Sequence, residues 1–195
     1  MAITSTRVTD SVLDVVLAAA QSVEDPDAGF GPMLPPELPE PGEPFRYESL
    51  EAIILADPRD GVGAIAGVGL AYGFGYEPDD PDDPDLDAFP QRDLGPDWIL
   101  NRDAEADDLT TIWSGVRDMV EQRLGRPAYD EVEDDEENWR RAVWLLGPSL
   151  VCVGIGEDPG SYSLYNRAHL SIVRAPDGLT AEEIDEELLE ERFGV

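Results

Sequence analysis

The sequence predicts an α+β domain: a mainly antiparallel sheet of about five strands packed by three helices, with long Pro-rich and acidic loops. Apolar residues recur at helical spacing in three segments, one near each end and one in the middle. Between them lie β-branched runs joined by tight turn sequences, the mark of hairpins. Hydrophobic residues make up 42% of the chain and include four Trp, six Tyr and five Phe, enough to fill a core. At 195 residues a single core is expected, so residues 1–195 are read as one domain.

The first helix is expected from about Ser11 to Ser22, capped by Thr9 or Asp10, with Val12, Leu13, Val16, Leu17 and Ala20 facing inward. Prolines then dominate: Pro26, Pro32, Pro35, Pro36, Pro39, Pro41 and Pro44 remove backbone donors and forbid a helix or central strand. Residues 24–45 therefore read as an irregular strap, pinned by Phe30, Met33 and Leu34. EAIILAD (51–57), the turn-rich DPRDGVG and AIAGVGLAYGFGY form a hairpin whose second strand is long and nearly buried. An acidic loop over 77–96 follows, and PDWILN is a short strand or anchor.

Leu109, Ile112, Trp113, Val116, Met119, Val120 and Leu124 make the clearest helix, from about Asp107 to Leu124, ended by Gly125 and Pro127. NWRRAVWLL, the turn GPS and LVCVGIG form a second hairpin, and RAHLSIV alternates so as to pair with it. Thr180 and Glu183 have capping-box spacing at the start of a last helix whose Ile184, Leu188 and Leu189 face inward.

Charge narrows the range of partners. Forty-four Asp and Glu stand against 13 basic residues, for a formal net charge of -31, and every basic residue is Arg. Such a chain repels nucleic acid and anionic membranes, so the expected partner is a basic protein. The absence of Lys fits either a GC-rich genome or a salt-adapted proteome. The N-terminal segment imitates a signal peptide, but Asp14 interrupts its apolar stretch and only Arg7 precedes it. No uncharged run reaches the roughly 20 residues of a membrane span, and a soluble, cytoplasmic protein is expected. The single Cys152, in the apolar LVCVGI, excludes an internal disulfide and reads as inert filler.

EPDDPDDPDLD (77–87) clusters carboxylates as calcium loops do, yet prolines stand where a calcium loop needs its sharp glycine turn. Proline instead favours an extended polyproline strap whose carboxylates point apart, so divalent cations would bind only weakly and non-specifically. GVGAIAGVG approaches dinucleotide-loop spacing, but no helix opens at its last glycine. His169 and Ser171 face opposite to Ala168, Leu170 and Ile172, which leaves His169 either a surface residue or a tuned base. No carboxylate pair can be singled out among 44 acids. No catalytic residue, cofactor or specific metal site is therefore assigned.

Two acidic runs remain. In the last segment Glu182, Glu183, Asp185, Glu186, Glu187, Glu190 and Glu191 include like-charge pairs four residues apart, each destabilising by roughly 0.2–0.5 kcal/mol. Either high salt or a basic partner would relieve that repulsion, unless the run is simply a solvated face. The other run lies between two aromatics. Tyr129, Asp130, Glu131, Glu133, Asp134, Asp135, Glu136, Glu137 and Trp139 form the candidate partner-binding patch, although Trp139 reads equally as a core residue of the hairpin.

Residues 110–156, TTIWSGVRDMVEQRLGRPAYDEVEDDEENWRRAVWLLGPSLVCVGIG, followed by RAHLSIV, resemble small acidic actinobacterial proteins in their helix, Leu-Gly-x-Pro stop and Trp-bearing hairpin. Some of those are similar to immunity proteins of polymorphic toxin systems. The resemblance implies an inhibitor that masks the cationic active site of a cognate toxin, often a nuclease. Two alternatives stand beside it: an ordinary protein of a salt-adapted cytoplasm, and an enzyme using His169 or an unidentified carboxylate pair.

Overall fold

The computed structural model describes residues 2–21, 44–47, 50–54, 65–74, 99–132, 140–157 and 165–193. The three apolar stripes fold as α1 (Asp10–Gln21), α2 (Ala106–Leu124) and α3 (Glu186–Phe193). At the start of α2 the backbone N–H of Glu105 donates to Asp108 Oδ2 at 3.0 Å. Gly125, at φ 82°, ends α2 by donating its N–H to the Glu121 carbonyl at 2.9 Å.

Among the described residues nine strands form one sheet in which every pairing is antiparallel: β1 (Ala2–Ser5), β2 (Pro44–Tyr47), β3 (Leu50–Ile54), β4 (Ile65–Phe74), β5 (Ile99–Asn101), β6 (Tyr129–Val132), β7 (Arg140–Leu146), β8 (Ser149–Glu157) and β9 (Tyr165–Arg174). Their order is β2-β3-β4-β9-β8-β7-β6, and β1 joins β4 to β5. The ten residues of β4 make this possible: β3 pairs with its first half and β1 with its second.

The α+β class and the antiparallel sheet agree with the sequence expectation; the number of strands does not. Where about five were expected, β5, read as a short strand or anchor, is a strand, and β1, β2 and β6 add to the sheet, each four residues long, too short for alternation to register. Pro44 opens β2, a strand at the end of the sheet order, where a missing N–H is tolerated. The last helix also differs. Thr180 and Glu183 form the expected capping box, but it starts a single 3-10 turn, Ala181–Glu183. Ile184 then extends, and the Asp185 carboxylate accepts the Leu188 N–H at 3.0 Å to begin α3 afresh. Two cap signals in tandem split what periodicity alone reads as one helix.

The sheet buries both faces. On one, Leu13, Val16 and Leu17 of α1 and Leu109, Trp113, Val116 and Val120 of α2 pack on Ala142, Trp144, Val151, Val153, Leu170 and Ile172. On the other, Ile184 and Leu189 cover Val143, Leu150, Cys152 and Val173. Full burial of one such Leu or Val contributes about 1.5–3 kcal/mol. Two indoles fix the layers: Trp113 Nε1 donates to the Val153 carbonyl at 2.9 Å, and Trp144 Nε1 to the Gly125 carbonyl at 2.8 Å. No helix among the described residues is long and apolar enough to cross a membrane.

Candidate functional site

β6 carries the described part of the acidic patch. It pairs with β7 in the register Tyr129↔Val143, Asp130↔Ala142, Glu131↔Arg141, and strand alternation sends neighbours to opposite faces. Asp130 therefore shares the α2 face. There its carboxylate accepts from Arg117 Nη2 at 2.6 Å, while Arg117 also lies 3.1 Å from Glu121 and 3.6 Å from Asp118. Those carboxylates, led by the hydrogen bond to Asp130, raise the Arg117 pKa.

Tyr129 and Glu131 share the α3 face. Tyr129 is half-buried against the smaller apolar cluster, and Glu131 lies 3.7 Å from Arg141 Nε. The Tyr129 hydroxyl is pushed up to about 12, first by burial, then by its hydrogen bond to Glu131 and that carboxylate's charge, with Glu186 adding and Arg141 opposing. Tyr129 packs in the same apolar cluster as Leu188 and Leu189 of α3, which Glu186 opens, so the charge of an acidic run more than fifty positions away in sequence reaches this tyrosine. Glu182, Glu183, Asp185 and Glu187 are exposed alongside Glu186 in the same segment. Glu133, Asp134, Asp135, Glu136, Glu137 and Trp139 lie outside the described residues, as do the acidic loop 77–96 and all of the strap before Pro44.

Several arginines have partners within the chain. Arg123 bridges α2 to α1 through Asp10 at 2.6 Å and Asp14 at 3.2 Å. Arg117 and Arg140 lie 5.9 and 5.8 Å from the Trp113 ring centroid, within cation–π range. Arg141 and Arg167 are only 9% and 4% exposed. These contacts offset only part of the carboxylate charge, so the outer potential stays negative.

His169 sits on the α3 face of β9, opposite Gly69 of β4 and Gly154 of β8. Its Nδ1 is 2.6 Å from Ser171 Oγ, and its Nε2 lies where a Cβ on Gly154 would approach to 2.7 Å. Burial, with the charges of Arg167 and Arg141, holds its pKa well below the usual imidazole value, so the ring is neutral at pH 7. Cys152 is buried and its thiol is pushed up to about 12 by desolvation, which leaves it unreactive. No group of three or more His, Cys, Asp or Glu among the described residues is arranged to hold a metal ion.

Sequence reasoning missed the in-chain counter-ions Arg117 and Arg141 and the approach of Glu186 to β6. A signal for one of them exists: setting YDEV against RRAV in antiparallel register places Glu131 opposite Arg141. Comparisons with protein-family models, curated proteins and solved structures find no match.

Proposed function

We propose that the protein is an acidic, non-enzymatic binding module of the cytoplasm, an immunity-type inhibitor that masks a basic partner protein. The observation that supports this reading most is the packing of Tyr129 of the acidic strand β6 in one cluster with Leu188 and Leu189 of the acidic helix α3. Long-range attraction would steer a cationic partner to this edge, and an amphipathic aromatic ring beside the charges would supply contact area.

The test uses the immobilised full chain and a variant carrying Asp134→Asn, Asp135→Asn, Glu136→Gln, Glu137→Gln, Glu186→Gln and Glu187→Gln. A basic protein captured from the native host should bind the purified parent chain, lose its activity on binding, and bind the variant at least about tenfold more weakly. Equal binding to both chains, with the variant's circular dichroism unchanged, contradicts the proposal.

A salt-adapted origin is the second reading, favoured by the exposure of Glu182, Glu183, Asp185, Glu186 and Glu187 along one segment. It asks nothing of partners.

A further inference from the structure

β6 ends the strand order of the sheet: it pairs with β7 on one side, and no strand among the described residues pairs with its other side. A sheet edge offers backbone N–H and C=O groups to any extended chain, and charged side chains are the usual means of deciding which chains pair.

The charges on this edge have a definite arrangement. On the α2 face the three carboxylates of Asp118, Glu121 and Asp130 lie about the guanidinium of Arg117, with Arg140 of β7 on the same face. On the α3 face Glu131, 3.7 Å from Arg141, and Glu186 at the start of α3 both act on Tyr129, with Arg141 opposing. Carboxylates therefore outnumber the guanidiniums named on each side, and strand alternation presents that surplus to both faces of an incoming strand. A second copy of the chain, paired β6 to β6, would set like charges opposite one another and is disfavoured. A neutral strand would bring nothing to offset the carboxylates it partly desolvates. A strand with Arg or Lys at successive positions meets opposite charge on both faces.

From this we infer that β6 takes up an extended, Arg/Lys-rich segment of the partner as an added strand. The inference rests on the acidic-docking reading above and specifies its mode: backbone pairing supplies affinity and alternate cations supply selection. Acidic edges also deter aggregation. Here the same charges that exclude self-pairing admit a cationic strand.

The test titrates the full chain with two probes: a short synthetic peptide repeating Thr-Arg-Arg-Val, and the same peptide N-methylated at alternate backbone positions. Both carry the same charge, but the second cannot complete a strand ladder. The inference predicts at least about tenfold tighter binding of the unmodified peptide, with slowed hydrogen exchange of β6 amides. Equal affinities that both weaken near ~0.3 M salt would overturn strand addition and leave acidic docking standing. Failure of both peptides to bind at low salt would remove strand addition and acidic docking together. Tight binding of the unmodified peptide with unprotected β6 amides would overturn the assignment to this edge.

Discussion

His169 shows how one residue constrains its neighbours across the sheet. Its ring lies over Gly154, where an added Cβ would sit 2.7 Å from Nε2 and 3.0 Å from Cε1. The ring cannot swing away without giving up the Ser171 contact. Gly154→Ala should therefore destabilise by about 1–3 kcal/mol in urea denaturation, and His169→Ala in the same chain should recover part of that loss. Additive effects of the two substitutions would contradict the packing described. The same residue fixes a pH dependence. Its folded pKa lies well below the unfolded value near 6.5, so below that pH the unfolded chain binds the extra proton and stability falls as pH drops. The stability difference between the parent chain and His169→Gln should shrink from pH 7 to pH 5; a constant difference would mean that the imidazole is not held neutral.

Elements differ in how much their own residues reveal. α1 and α2 were legible because stripes such as Leu109, Trp113, Val116 and Val120 repeat over several turns and all reach one core cluster. The long strands β4, β8 and β9 were legible through apolar runs bounded by turns. β1, β2 and β6 were not, since four residues carry too little periodicity and their pairing depends on long-range topology. The site divides in the same way. The acidity of the Tyr129–Glu131 segment was plain, whereas its proximity to Glu186 exists only because α3 folds back over β7, β8 and β9. That return depends on a cap: the Asp185 carboxylate holds the Leu188 N–H, and α3 has just eight residues to bury Leu189. Asp185→Ala should cost about 1 kcal/mol and raise hydrogen-exchange rates in α3 before those in α2. Unchanged protection in α3 would show that packing of Ile184 and Leu189 alone fixes it.

At the scale of the whole molecule, a net charge of -31 is a property of the surface field rather than of the core. Pairing of Arg117, Arg123 and Arg141 with carboxylates offsets only a small part of that charge. Added KCl should raise the melting temperature over the first ~0.2 M and then level off, because the Debye length is already about 8 Å near 0.15 M. A melting temperature that climbs steadily to molar KCl would favour salt adaptation instead. The central claim is that acidity is gathered at the β6–α3 edge rather than spread over the molecule. It is tested most directly by NMR titration of the full chain with a short oligo-arginine peptide, following backbone amide shifts. The account predicts that the largest changes at low peptide concentration cluster at residues 129–131 and 182–187. Changes of equal size at the exposed carboxylates of Glu105, Asp107 and Asp108, at the far end of α2, would contradict it.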